Sequence, residues 1–315
     1  MASSVSRRQW LAGAAIAAGA AASPPAAAAE RTKPMFRYSL NTSTIRGQKL
    51  SVIDEVEIAA KAGYHAIEPW TRELQQFVDG GGSLKDLGKR IRDHGMTVES
   101  AIGFAEWIVD DDVRRKKGLE QARRDMDMVL QIGGSRLAAP PFGATDRSDI
   151  PLMRIAERYR TLLTLGDQSG VVPQVEMWGF SKTLSRLSEV AMVAVETGHP
   201  KACVLPDVYH FYKGGSSFGG LKLMGSAAIS VFHMNDYPAD PPPAKITDAQ
   251  RVYPGDGVAP LTQILSDLHR IGFQGVLSLE LFNPEYWKQD ATLVAKTGLE
   301  KMKSVVEKAL ATIEK

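Results

Sequence analysis

From residue 35 onward, short apolar runs alternate with longer segments whose apolar residues recur three and four positions apart. A short apolar run bounded by turn residues suits a buried strand, and the wider spacing suits one face of a helix. The pattern predicts strands at 36–40, 65–67, 97–102, 136–139, 171–175, 202–205, 229–232 and 276–279. A predicted helix follows each, at 53–62, 84–93, 113–132, 150–169, 182–197, 221–225, 261–271 and 286–313. Gly63, Gly95, Gly133 and Gly272 stand where a helix needs a C-terminal cap residue.

Strand–helix units in this number imply an α/β fold, a parallel sheet closed into a (β/α)8 TIM barrel. An open doubly wound sheet usually carries a glycine-rich phosphate turn after its first strand. Here Asn41-Thr42-Ser43-Thr44 stands in that place. No linker or shift in composition divides the chain, so residues 30–315 are read as one domain. The proline-rich stretch 238–243 falls within one long loop, 236–257.

The first residues read differently. Arg7 and Arg8 precede an alanine-rich apolar stretch, Pro24 and Pro25 break it, and Ala26 to Ala29 offer a small-residue cleavage site. A charged start, an apolar middle and a small-residue exit form a secretory leader, and the paired arginines resemble the twin-arginine class. The apolar run is too short to span a bilayer, which takes about 20 residues. Residues 1–29 are therefore expected to be removed, leaving an exported, periplasmic protein with no membrane span. The chain's formal charge is +2. Without Arg7 and Arg8 it is 2 − 2 = 0. A neutral domain lacks the electrostatic footprint of a nucleic-acid binder. The lone cysteine, Cys203, excludes an internal disulfide.

In such barrels chemistry sits at the C-terminal ends of the strands. The predicted strands end in Asn41, Glu68, Pro140-Pro141, Glu176, Asp207, His233 and Glu280, and the third leads to Glu106 and Trp107. Glu176, Asp207, His233 and Glu280, on four consecutive strands, are expected to converge above the barrel. Carboxylate and imidazole together suit a divalent ion such as Mn²⁺, Mg²⁺, Co²⁺ or Zn²⁺. Asp236, in His-Met-Asn-Asp, is a candidate acceptor for the ring of His233. Arg251, before Tyr-Pro-Gly-Asp-Gly, is read as a clamp for a substrate hydroxyl or carbonyl. Asn41, Glu68, Trp107 and His210 are further candidates for contact with substrate. Trp70, Phe104, Trp178 and Trp287 also follow strand ends and offer faces for a sugar ring. His65, His94, His199 and His269 are read as structural.

These residues carry a resemblance over almost all of 35–312. Ala-Gly-Tyr-His-Ala-Ile-Glu (62–68), Glu176, Asp207-Val-Tyr-His210, His233-Met-Asn-Asp236, Arg251 with Pro254-Gly-Asp-Gly257, and Gly275-Val-Leu-Ser-Leu-Glu280 resemble the xylose isomerase-like TIM-barrel superfamily. That is the group of sugar isomerases and epimerases containing D-tagatose 3-epimerase and inosose dehydratase. The resemblance implies that Glu176, Asp207, His233 and Glu280 bind Mn²⁺ or a similar ion. It implies that the two glutamates form an acid–base pair, that His210 and Arg251 touch a small sugar-like substrate, and that the chain forms a homo-oligomer. The expected reaction moves a proton beside a carbonyl, as an isomerase or epimerase. With a leaving group one carbon further on, the same chemistry gives a lyase or dehydratase acting on a keto-glycoside or inosose. Two other readings fit less of the pattern. An endonuclease IV-like nuclease needs more histidines and positive charge for phosphate. A non-catalytic sugar-binding barrel needs no pair of glutamates.

Overall fold

The computed structural model describes residues 36–313; the expected leader, 1–29, lies outside them. Among the described residues the strands are β1 (Arg37–Asn41), β2 (Ala66–Glu68), β3 (Thr97–Val98), β4 (Arg136–Ala139), β5 (Val172–Glu176), β6 (Val204–Leu205), β7 (Val231–Met234) and β8 (Val276–Leu279). All their pairings are parallel, in the orders β3-β2-β1-β8-β7 and β4-β5-β6. Single bridges join the two runs, Ala101 to Leu137 on one side and Val204 to Ile229 and Asp207 to His233 on the other. The sheet is thereby closed into the TIM barrel that the alternating pattern implies.

The flanking helices are α1 (Val52–Ala62), α2 (Thr71–Asp79), α3 (Leu84–Asp93), α4 (Asp112–Gln131), α5 (Leu152–Ser169), α6 (Leu187–Glu196), α7 (Val208–Gly214), α8 (Leu261–Arg270), α9 (Pro284–Trp287) and α10 (Ala291–Ile313). α1 illustrates the local logic. The hydroxyl of Ser51 accepts from the amide of Asp54 at its start, and Gly63 ends it with φ 92, a backbone that glycine adopts without strain. One apolar core lies between strands and helices. A smaller cluster fills the barrel itself, where Ile102, Ala138, Leu205, Val231 and Val276 pack beneath Trp70. No described helix is long and apolar enough to cross a membrane.

Five local expectations change. β3 is only Thr97–Val98, and Ala101 and Ile102 pair separately. α2 was not expected; Trp70 opens it, and the Glu73 carboxylate accepts from the Trp70 amide at 3.1 Å. α6 begins at Leu187 rather than 182, because Leu184 takes a left-handed backbone (φ 58) that stops a helix there. The helix expected at 221–225 is a 3-10 turn, Phe218–Leu223, and the α-helix of this unit is α7, capped by the Asp207 side chain. The last helix divides at residues 288–290.

Tyr159 of α5 secures the middle of the barrel wall. Pro173 gives β5 a residue with no N–H. The Tyr159 hydroxyl lies 2.8 Å from the carbonyls of Pro173 and Cys203 and accepts from the Val175 and Cys203 amides at 3.3 Å. It thus joins β5 to the start of β6.

Glu55 on α1 is buried, and its Oε2 has no hydrogen-bond partner. Burial, helped by nearby Glu73 and opposed by Arg46, pushes its carboxyl up to about 9. The folded chain therefore holds a proton that the unfolded chain releases near pH 4.5. This contribution to stability is complete below that pH and is lost as pH rises toward about 9. Glu55→Gln should flatten the dependence: urea midpoints of the wild type should fall relative to the variant between about pH 5 and about pH 8. Parallel curves for the two proteins would contradict the assignment.

Candidate active site

The parallel register brings the site together. Asn41 lies beside Glu68, Glu176 beside Leu205, Asp207 beside His233, and His233 beside Ser278. Side chains two apart on a strand share a face. Asp207 and Glu280, two residues beyond Leu205 and Ser278, therefore enter the same space as His233. Ligand atoms of Asp207, His233 and Glu280 lie within 4.8 Å of one another, and all three residues are buried.

Glu176 stands apart from this group of three. The expected set of four is arranged as three clustered residues plus one. Glu176 lines the cavity above them, and its Oε2 is buried with no partner. Burial pushes the Glu176 carboxyl up to about 8, opposed by the charge of His233 and reinforced by Glu280. Burial also works to raise Glu280, but His233 and Arg251 hold it below the usual carboxylate range. Two glutamates in one pocket are thus driven in opposite directions.

His233 is held at one end of its ring, by Glu68. Its Nε2 lies 3.1 Å from Glu68 Oε2, which also accepts from Asn41 Nδ2 at 3.0 Å and Ser278 Oγ at 2.7 Å. Glu68, expected against substrate, instead lies beneath the site as the partner of His233. With Nε2–H directed at Glu68, Nδ1 faces Glu280 Oε2 at 3.3 Å and Asp207 Oδ2 at 3.8 Å. This Nδ1 has no hydrogen-bond partner. A carboxylate holding the far nitrogen of a histidine is the usual support of an imidazole metal ligand. The donor set, the unpartnered Nδ1 and the orphaned Glu176 oxygen all fit a divalent cation.

Arg251 is fully buried, not a loop charge in water. Its Nη1 donates to Asp207 Oδ2 and Glu280 Oε2, both at 2.8 Å, and its Nε and Nη2 reach Asp248 Oδ1 at 3.0 and 2.6 Å. Its nitrogens are thus engaged by protein, so the expected clamp on a substrate hydroxyl gives way to a cation joining the site's carboxylates. Arg251 Nη2 also lies 3.2 Å from His210 Nε2. A guanidinium only donates, so His210 accepts at Nε2 and carries its proton on Nδ1. Burial drives the His210 pKa down to about 4, leaving the ring neutral. Its Nδ1 is buried without a partner in a residue that lines the cavity.

Asp236 does not hold His233. Its carboxylate accepts backbone amides of Tyr237, Gly255, Gly257 and Ala259 at 2.8–3.1 Å and so fixes the turn beyond Arg251. A side chain at Gly257 would strike Tyr237 O and the Asp236 carboxylate. Trp107 lies in the core, donating to the Pro140 carbonyl at 2.8 Å, and is absent from the cavity wall. Trp287 donates to Ser43 O at 3.1 Å and also lies outside that wall. Of the expected aromatics, Trp70, Phe104 and Trp178 line the cavity. His65 accepts from the Tyr38 amide, and His94 and His199 pair with Glu57 and Asp167.

Sequence reasoning missed Asn235, Asp248, Ser278 and Phe282. Asn235 Nδ2 donates to Asp207 at 2.9 Å, while its Oδ1 accepts the Tyr209 amide. Ser278 had a readable signal, because it stands two residues before Glu280 within an apolar strand. Asp248 had none, since a loop carries no periodicity to orient it.

The model of the xylose isomerase-like TIM barrel family matches residues 56–305. An inosose isomerase of Bacillus velezensis is 28% identical over 81% of this chain and 91% of its own length. A 3-dehydroshikimate dehydratase of Pseudomonas putida is 20% identical over 83% of this chain and 41% of its own. Among solved structures, the IOLI protein with a binding zinc atom superposes with a TM-score of 0.80 at 24% identity, covering 87% of this chain and 99% of that one.

The role of Glu68 is open to test. Glu68→Gln should weaken Zn²⁺ binding by about 10- to 100-fold, read by calorimetric titration, with the thermal melt of the metal-free protein still cooperative. Unchanged affinity would show that Glu68 does not orient His233.

Proposed function

We propose, from the premise that this chain belongs to the xylose isomerase-like TIM barrel family, that it is a metal-dependent isomerase or epimerase taking a proton from the carbon beside a carbonyl of a small sugar-like substrate. The observation that carries this reading is the buried group of Asp207, His233 and Glu280 with the unpartnered Glu176 oxygen beside it. Asp207, His233 and Glu280 would hold a divalent ion, which when bound polarises a carbonyl and favours negative charge on its oxygen. The zinc of the superposed IOLI protein supports such an ion; Mn²⁺ remains our proposed physiological metal.

The chain's own residues would do the rest. Glu176 and Glu280 form the acid–base pair: their environments drive one toward the protonated and the other toward the ionised state, the contrast expected of two carboxyls with different roles. His210 offers its Nδ1–H to a substrate oxygen. Arg251 keeps Glu280 ionised and holds both Glu280 and Asp207 in place. The aromatic walls exclude water, so the proton passes between positioned groups.

Similarity to an inosose isomerase supports a cyclic polyol ketone as substrate. Similarity to a 3-dehydroshikimate dehydratase supports a second outcome of the same proton removal, loss of a group one carbon further on. The twin-arginine-type leader, residues 1–29, supports export, so we place the reaction in the periplasm.

Solvent exchange tests the scheme. In D₂O with Zn²⁺ or Mn²⁺, inososes and keto-sugars should gain deuterium beside the carbonyl, followed by NMR. Glu176→Gln should slow this by at least about 100-fold while still binding metal. Full exchange in that variant would remove Glu176 from the chemistry.

A further inference from the structure

The cavity, about 440 Å³, is divided by chemistry. Its floor is polar, with Glu176, His210, Arg251 and Glu280. Its upper wall is built from Trp70, Phe104, Phe142, Trp178, Phe180 and Phe282, carried on the segments that follow β2, β3, β4, β5 and β8. Their rings touch in sequence. Trp70 lies 6.0 Å from Phe282 and 5.0 Å from Phe104; Phe104 lies 5.5 Å from Phe142 and 6.1 Å from Trp178; Trp178 lies 5.1 Å from Phe180. The collar is braced from behind, with the Arg46 guanidinium 4.0 Å over Trp70 and 5.1 Å over Phe282.

This collar has little to offer a hydroxyl. The indole N–H of Trp70 is committed to Asn41 Oδ1 at 2.9 Å and Asp248 Oδ1 to Arg251, which leaves Asp248 Oδ2 and the Arg72 guanidinium, 4.6 Å over Trp70, as polar groups at the cavity mouth. A bare polyol carries hydroxyls on every edge, and most of those turned to the six rings would lose water without gaining a partner. The rim meanwhile leaves Phe142 and Phe180 38% and 46% exposed, an apolar surface that a ligand would cover. The rings meet at tilted and edge-on angles, the arrangement that receives a further flat ring.

We infer that the ligand has two parts, a polar sugar-like head on the floor and a flat aromatic substituent held in the collar. This rests on the proposed reading of the floor as the place of chemistry. A second sugar ring also presents a face to aromatics, but its edge hydroxyls outnumber the partners that Arg72 and Asp248 offer.

The test is calorimetric binding to the metal-loaded protein of phenyl β-D-glucopyranoside, methyl β-D-glucopyranoside and cellobiose. Phenyl glucoside should bind about tenfold or more tighter than methyl glucoside. Cellobiose should bind no tighter than methyl glucoside. The double variant Phe142→Ala/Phe180→Ala, changed only at exposed rings, should lose the phenyl advantage. No difference between phenyl and methyl glucoside, including no binding of either, would overturn the inference. So would cellobiose matching phenyl glucoside, or an advantage that survives in the double variant. Glu176→Gln keeps the two readings distinct: it should retain the phenyl advantage, and a failure of the exchange experiment alone would leave the collar standing.

Discussion

Asp207 and Glu280 are buried carboxylates whose ligand oxygens face a common space, and carboxylates buried together need positive charge in contact. Arg251 supplies it, and the bound ion proposed above would add to it. One guanidinium nitrogen touches both carboxylates, and the imidazole lies between them and Glu68. Removing Arg251 would leave charge stranded in a dry interior, a loss of about 3–5 kcal/mol for a buried pair. The surrounding structure serves this balance. Asp248 takes the remaining face of Arg251, Asn235 buttresses Asp207, and Asn41 and Ser278 both donate to Glu68 Oε2.

The same balance makes Glu176 different from Glu280. Both follow strand positions that aim them into the pocket, and burial acts on both. Glu280 has Arg251 and the His233 ring in contact, whereas Glu176 Oε2 has no partner at all. Their chemistry diverges because of neighbours, not because of residue type. Trp178 and Phe180 follow Glu176 in the chain, so the glutamate stands at the boundary between the charged floor and the aromatic wall.

The long loop after β7 is part of the site. Asp236 gathers four backbone amides and so shapes the turn beyond Arg251. Val252 pairs with Asp236, which anchors Arg251 one residue away. A carboxylate that looked like a partner for His233 in the sequence acts on the backbone instead, yet by fixing the loop it fixes the cation on which the ligand group depends.

The sequence by itself determined the barrel, because alternation of short apolar runs with helical spacing has few solutions other than a closed parallel sheet. It also pointed to Asp207, His233 and Glu280, because strand ends are marked by the residue that follows an apolar run, and a parallel register brings such ends together. It did not separate Glu176 from them, since one strand position says where a side chain enters but not how far it reaches. It misassigned Trp107, Glu68 and Asp236, because a residue after a strand can face the cavity, the core or the backbone of its own loop. Tertiary structure alone decided those directions. It also decided the burial of Arg251 and the closing of six aromatics into one collar, since loops have no period, and their side chains take the direction in which charge or apolar surface finds a partner.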